Sequence, residues 1–155
     1  MPLSGHEQLQ AEMSTRVGNG IKRVEQLLEQ AKTRALRSFS LTLPQYVTLM
    51  VLHYVPGQSA AQLSRTALVS TQTIATILGN LERKNLVTRD VSDLHARVLV
   101  NELTPEGHAL AVESDEKVRA VESDLRAEYT DTEFAQFQEF LERAEAHLLA
   151  GRIAA

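Results

Sequence analysis

The sequence of 155 residues contains no cysteine. Disulfide bonds, thiolate metal sites, cysteine nucleophiles and thiol-based redox switches are therefore all excluded. Apolar runs are also short, since none approaches the ~20 consecutive residues that a membrane-spanning helix needs. The first residues carry neither the basic stretch nor the apolar run of a signal peptide. Together these absences predict a cytoplasmic protein with no membrane partner.

Sequence motifs of catalytic and cofactor sites are missing as well. There is no glycine-rich phosphate loop and no Gly-x-Ser-x-Gly turn. The five histidines show no close metal-ligand spacing and no His-Glu-x-x-His motif. We therefore expect no cofactor, no metal site and no catalytic residue, so an enzyme has little support. His53 and Tyr54 could line a ligand cleft, although a packed, hydrogen-bonded pair is the expectation.

Charge is distributed unevenly along the chain, whose net charge is −4. Residues 1–58 carry six Lys and Arg against four Asp and Glu, and residues 59–102 carry five against four. Residues 103–155 carry five against twelve, so the acidic excess is confined to the last third. The first two thirds can therefore approach a phosphate backbone, although the whole chain is acidic.

Several helix starts are marked by local sequence. Thr42 and Ser59 are each followed three residues later by glutamine, and Thr130 by glutamate, which is the pattern of a capping box. Ser70 is a cap without such a partner, and Thr104 precedes a proline at the first helical position. The expected helices cover residues 42–54, 59–66 and 70–84, and two more begin at residues 104 and 130.

The pattern changes after the third of these helices. Residues 87–91 and 97–103 are rich in valine and partly alternate between apolar and polar side chains, with turn-forming residues 92–95 between them. This pattern predicts a β-hairpin. The order helix, helix, tight turn, helix, hairpin predicts a winged helix-turn-helix over residues 42–103. The expected fold class is mainly α with a small β-hairpin wing.

Amphipathic helices are expected on both sides of this central unit. Apolar residues recur at helical spacing over residues 21–35, 110–125 and 134–148. Such stripes must be buried, and pairing with a second copy of the chain is a natural way to bury them. The alternative is that they fold back onto their own chain. We expect a homodimer, with N-terminal dimerisation helices (residues 1–38), a winged helix-turn-helix domain (39–103) and C-terminal dimerisation helices (104–155).

The helix that begins at Ser70 has two different faces. Its apolar residues lie on one stripe that must face the core: Ile74, Ile77, Leu78 and Leu81. The opposite face is short and polar, and Gln72, Thr73 and Thr76 are its candidates for reading base edges. Glutamine can pair with adenine, and threonine offers a methyl group to thymine. Because the second helix of such a motif enters the major groove, we predict double-stranded DNA as a partner. The alternative is an ordinary solvent-exposed face.

Cationic residues surround this unit and are candidates for phosphate contacts. Arg97, just beyond the turn of the hairpin, could reach a narrow minor groove. Each of these cations has the alternative of being simply solvated. With the cap of the helix included, the predicted DNA-binding residues are Ser70, Thr71, Gln72, Thr73, Thr76, Arg65, Arg83, Arg89 and Arg97.

Four segments in and around the central unit carry further motifs: Leu41-Thr42-Leu43-Pro44-Gln45, Ser70-Thr71-Gln72-Thr73-Ile74, Leu81-Glu82-Arg83-Lys84-Asn85-Leu86-Val87 and Leu103-Thr104-Pro105-Glu106-Gly107. Together they resemble the MarR family, in motif detail over residues 41–110. The resemblance implies a prokaryotic homodimer that regulates transcription, with repression as the expected direction, from a pseudo-palindromic operator. It also implies a small-molecule effector, because family members are often controlled by one.

The sequence departs from the family pattern at two places. His95 stands where an aspartate commonly braces the wing arginine, here Arg97, and the recognition helix has Ala75 and Thr76 where relatives often have a basic residue. A second hypothesis is therefore a winged-helix protein-interaction module without specific DNA binding. The acidic last third favours it. A steep salt dependence of DNA binding would separate the two hypotheses.

Overall fold

The structure, a computed structural model, describes residues 4–91 and 99–153. The helices in these residues are α1 (Gly5–Ser14), α2 (Val17–Leu36), α3 (Leu43–Tyr54), α4 (Ala60–Thr66), α5 (Thr71–Arg83), α6 (Pro105–Ala127) and α7 (Asp131–Ile153), with a 3₁₀ turn at Arg37–Phe39. The strands are β1 (Gln58–Ser59), β2 (Val87–Val91) and β3 (Leu99–Leu103). The predicted fold class is confirmed. The turn predicted at residues 92–95, and Arg97, lie outside the described residues.

Local capping interactions place the helix starts where the sequence predicts them. At α3 the backbone N–H of Gln45 donates to the Thr42 hydroxyl at 3.3 Å, and the Thr42 N–H donates to the Gln45 side chain at 3.0 Å. Ser59 and Gln62 form the same reciprocal pair at α4, and Ser70 caps α5. These bonds satisfy N–H groups that a helix start leaves without partners, so each cap fixes where the chain changes direction.

The three strands form an antiparallel sheet in the order β1–β3–β2. β2 and β3 are the predicted hairpin strands and pair over five residues each. The sequence patterns do not predict β1, because two residues are too few to show alternation. Asn101 of β3 holds β1 in place. The Asn101 side-chain amide donates to the Gln58 backbone carbonyl at 2.7 Å, and the Asn101 backbone carbonyl accepts the Gly57 N–H at 3.1 Å.

Apolar side chains of the winged helix-turn-helix form one buried core, to which α2 contributes Leu36 and α6 contributes Ala111 and Val118. The apolar core residues with no exposed surface are Leu36, Leu49, Leu52, Leu63, Ile74, Leu78, Leu81 and Ala111. Leu36 is the only buried residue of α2. The fold comprises two compact units, divided after Val118 within α6. The predicted three-part domain division stays a prediction.

Two side-chain pairs join α3 to the first half of α6. The Tyr46 hydroxyl donates to Asp115 Oδ1 at 2.7 Å. The Nδ1 atoms of His53 and His108 lie 3.3 Å apart, within hydrogen-bonding distance, and the His53 ring packs edge-on against Tyr54. The contacts of Tyr46 and His53 hold the first half of α6 against α3.

The connection from α5 to the wing is held by a close backbone approach. Asn85 takes a left-handed conformation, φ 57°, directly after the helix. The Thr104 hydroxyl, at the start of α6, donates to the Asn85 carbonyl at 2.7 Å and accepts the Gly107 N–H at 3.0 Å. A Cβ atom on Gly107 would lie 2.0 Å from the Leu86 carbonyl oxygen. This position therefore requires glycine for space, not for backbone freedom.

The terminal helices leave apolar side chains in solvent. In α2, exposure is 49% for Ile21, 52% for Val24 and 57% for Leu27. In α7, Phe140, Leu141 and Leu148 are exposed as well. The helix α1, which the sequence patterns do not predict, has no buried residue. None of the helices in the described ranges combines the length and the apolar character that crossing a bilayer requires.

Candidate nucleic-acid interface

The helix α5 separates its side chains as the sequence predicts. The buried residues are Ile74, Ile77, Leu78 and Leu81. The exposed polar residues of the first two turns are Thr71, Gln72, Thr73 and Thr76. Ala75 is also exposed, and a Cβ atom added to Gly79 would meet nothing within 4 Å. The outer side of α5 therefore carries small side chains at Ala75 and Gly79, so a second molecule can approach the helix backbone there.

Three hydroxyl groups on this side are partly engaged within the helix. Ser70 Oγ accepts the Thr73 N–H at 3.0 Å and lies 2.8 Å from the Thr73 hydroxyl. Thr76 Oγ1 donates to the Gln72 carbonyl at 3.1 Å, which leaves the Thr76 methyl group available for contact. No hydrogen bond within the described residues holds the Gln72 side-chain amide. The Gln72 amide is therefore available to a partner outside the chain, and its role as a base reader stays a prediction.

The turn between α4 and α5 is held by backbone hydrogen bonds. The Ala67 N–H donates to the Leu63 carbonyl at 2.8 Å, and the Val69 N–H donates to the Ser64 carbonyl at 3.1 Å. Leu68, between them, has a left-handed φ of 53°. This is the hydrogen-bonding pattern of a Schellman C-cap, which stops α4 and redirects the chain into α5 within four residues. The predicted tight turn is thereby confirmed.

The predicted phosphate-binding arginines differ in how free they are. Arg65 is exposed on α4, and Arg83 is exposed at the end of α5, where it donates to the Asn80 side chain. Arg89 on β2 is only 26% exposed, and its Nη1 lies 3.7 Å from Glu82 Oε2. Its Nε is buried without a hydrogen-bond partner in the described part of the chain. Arg89 therefore joins the wing strand to α5 as well as being a candidate for phosphate.

Eight of the nine predicted site residues lie on α4, on α5 and its cap, and on β2, whose Arg89 contacts α5 through Glu82. Arg97 is the exception, because it lies outside the described ranges. Sequence patterns did not single out Glu82, whose partner Arg89 is on another element, nor Leu68, whose conformation leucine rarely adopts. Among the described residues, no three His, Cys, Asp or Glu side chains are grouped so that they could hold a metal ion.

This arrangement can be compared with known proteins. A sequence profile of the MarR family matches residues 39–98. The HTH-type transcriptional repressor Rv2887 of Mycobacterium tuberculosis is 35% identical to the chain over 127 residues, which are 82% of this chain and 91% of the repressor. The chain belongs to the MarR family.

Solved structures agree with this assignment. The crystal structure of the Mycobacterium tuberculosis MarR family protein Rv2887 in complex with DNA superposes with a TM-score of 0.70 and 32% identity, covering 84% of this chain and 98% of that one. Its complex with salicylic acid gives a TM-score of 0.67 and 35% identity, covering 84% and 96%. The predicted family is confirmed for this MarR-family chain, while the roles of its individual site residues stay predictions.

Proposed function

We propose that this MarR-family chain is a cytoplasmic transcriptional repressor, without enzymatic activity, that binds a pseudo-palindromic operator as a homodimer. The exposed polar side of α5 carries the proposal, because it lies opposite the buried stripe of a helix that follows a tight turn. A recognition helix that enters the major groove has the same arrangement, with its polar side facing away from the core. The relative Rv2887, crystallised with DNA, supports the same assignment.

In the proposed complex each side chain has a role that follows from its geometry. Gln72 pairs with a base edge, and the Thr76 methyl group packs against the groove floor. Ser70 and Thr73, with hydroxyls engaged at the cap, position the first turn of α5, with Thr71 beside them. Arg65, Arg83 and Arg89 contact phosphates, and Arg97, which lies outside the described residues, is proposed as a further DNA-binding residue. The phosphate contacts give affinity and salt dependence, and the base contacts give sequence choice.

The homodimer is proposed from the exposed apolar faces. The α2 residues Ile21, Val24 and Leu27 are about half exposed, and α7 separately exposes Phe140 and Leu148. Apolar faces of this kind on helices are ordinary dimer interfaces. A twofold dimer would present two copies of α5, and successive major grooves on one side of a duplex are ~34 Å apart. The operator is therefore expected to be pseudo-palindromic.

The effector is proposed to be a small aromatic acid. The relative Rv2887 has been crystallised with salicylic acid, and it is 35% identical in that structure. A ligand that binds more tightly to dimers with the wrong α5 spacing would lower operator affinity by shifting the population. The measurement is operator affinity with and without salicylate: a fall with salicylate but not with benzyl alcohol supports an acid-specific effector, and no change rejects this class.

DNA binding is tested by fluorescence anisotropy with DNA from upstream of the protein's own gene, against unrelated DNA, at several salt concentrations. Wild-type protein should prefer the upstream DNA, with affinity that falls steeply as salt rises. The double variant Gln72→Ala, Thr76→Ala should lose at least about tenfold in affinity for that DNA, since each base contact contributes discrimination of that order. Its affinity for unrelated DNA should change little.

The matched control is Thr132→Ala, Gln136→Ala on α7, which removes the same residue types at the same spacing from an exposed helix surface. This variant should bind the operator as the wild type does and remain dimeric. Weak binding to both DNAs, with no response to the α5 variant, would favour the winged-helix protein-interaction module instead. The acidic last third of the chain is the observation that favours this second function.

A further inference from the structure

Leu68 combines two properties that rarely occur together. Its φ of 53° lies in the left-handed region, which glycine adopts freely and which a bulky side chain adopts only with strain. Its side chain is also 91% exposed, the largest value among the exposed large apolar residues that the structure describes. The folded chain therefore carries a strained leucine whose side chain gains almost no internal contact.

The surrounding turn explains the backbone conformation but not the choice of residue. The Val69 N–H bonds to the Ser64 carbonyl, and both Leu63 and Ser64 are buried, so the end of α4 imposes the left-handed position. Glycine or asparagine would fit this position with less strain. Strain that the fold does not require is often found at functional sites. The leucine side chain itself is thus the feature that needs a reason.

The surroundings of Leu68 favour DNA over a protein partner. Its direct neighbours Ala67 and Val69 are partly buried against the core. The exposed residues around these three are polar: Arg65, Thr66, Ser70 and Thr71. A protein docking surface normally needs a contiguous apolar patch of a few hundred Å². By contrast, the exposed apolar residues of α2 recur along one helix face. Leu68 lies two residues before Ser70, the cap of the proposed recognition helix. A single exposed apolar side chain at this place can pack against a single apolar group on the duplex.

We propose that Leu68 is a DNA-contacting residue that packs against apolar carbon of the operator, either a thymine methyl group or a deoxyribose. This inference rests on the proposed function of α5 as a recognition helix. Apolar contact with the thymine methyl is an established form of base readout, and the sugar offers a similar surface at the groove edge. Leu68 extends the interface of α5 back into the turn.

The test uses the full-length protein with Leu68→Asn, Leu68→Gly and Leu68→Met, measured by thermal unfolding and by operator anisotropy. The Asn and Gly variants relieve strain, so their Tm should rise by about 2–4 °C. Their operator affinity should nevertheless fall about threefold to tenfold, as expected for loss of one well-packed apolar contact. The Met variant keeps an apolar side chain and should stay within about twofold of wild-type affinity.

Ser40→Gly is the matched control, because Ser40 is also left-handed, φ 52°, and ends the 3₁₀ turn before α3. Its backbone carbonyl accepts a hydrogen bond from Lys84 Nζ at the end of α5, and glycine keeps that carbonyl. The variant should raise Tm without changing operator affinity.

Operators with single thymines replaced by uracil identify the contacted group. If wild-type protein loses affinity at one such position and Leu68→Asn loses nothing further there, the contact is a methyl group. If every replacement weakens both proteins equally, the contact is the sugar.

Unchanged operator affinity in Leu68→Asn would overturn the inference, and so would a loss in Leu68→Gly alone, because that would reflect backbone freedom in the turn. Either result leaves the proposed function standing if the wild type and the Gln72→Ala, Thr76→Ala variant behave as expected. A wild-type protein that binds no operator would overturn both proposals together.

Discussion

The winged helix-turn-helix and the N-terminal helices use similar apolar patterns with opposite outcomes. In α5, the stripe containing Ile74 and Leu78 is fully buried beneath a polar outer face. In α2, the stripe containing Ile21, Val24 and Leu27 is as regular but remains about half exposed. Helical period therefore indicates which residues need to be buried, while the presence of a packing partner in the same chain decides whether they are.

A substitution inside the core of the winged helix-turn-helix should cause the largest loss of stability. Leu78→Ala removes a side chain with no exposed surface, so we expect unfolding free energy to fall by ~2–5 kcal/mol. Urea denaturation measures the loss, which should be similar at low and high protein concentration because the contact is internal. A loss below about 1 kcal/mol would mean that α5 does not depend on this core.

Glycine substitutions test close packing in the two regions. Gly107→Ala places a methyl group against the Leu86 carbonyl, so a loss of ~1–3 kcal/mol is expected from the shift it forces. Gly18→Ala in α2 has nothing within 4 Å and should gain up to ~1 kcal/mol from helix propensity. Urea unfolding compares the two. Equal effects would contradict the difference in packing between the start of α6 and the start of α2.

A charge on the α2 stripe tests whether a second copy covers it. Leu27→Asp would bury a carboxylate in the proposed interface, so the dimer Kd should rise at least about tenfold. Sedimentation velocity over a concentration series measures this. Gln26→Asp, on the opposite side of α2 by helical spacing, is the control and should leave the Kd unchanged. An unaffected dimer in Leu27→Asp would place the interface elsewhere.

The smallest expected effect concerns the pair that joins wing and recognition helix. A double-mutant cycle with Glu82→Gln and Arg89→Gln should give a coupling below ~1 kcal/mol, because the Glu82 side chain is half exposed and screened. Arg89→Gln should also lower the salt dependence of operator binding by about one phosphate contact, whereas Glu82→Gln should not. If the salt dependence of operator affinity is unchanged in Arg89→Gln, Arg89 contacts Glu82 but no phosphate.

Much of the candidate site follows from sequence because its chemistry is local. Thr42, Ser59 and Ser70 predict helix starts, since a cap and the N–H it accepts are three residues apart in the chain. The alternation of α5 into a buried and a polar face needs only the helical period. The family resemblance then supplies the order of elements and the expectation of DNA as partner.

The remaining features depend on contacts between different elements of the fold. β1 exists because Asn101 binds Gln58, and Gly107 is required because the Leu86 carbonyl comes to its Cα. Arg89 looks like any surface arginine until Glu82 lies beside it. No local pattern encodes these distances.

Local sequence is enough to predict where α3 to α7 begin, which side of α5 is apolar and which family the chain resembles, because these depend on neighbours within one or two helical turns. The exposure of Leu68 and the half exposure of the α2 stripe are visible only in the folded structure. Burial is set by how separate elements pack against one another, and that information is not held in any short segment.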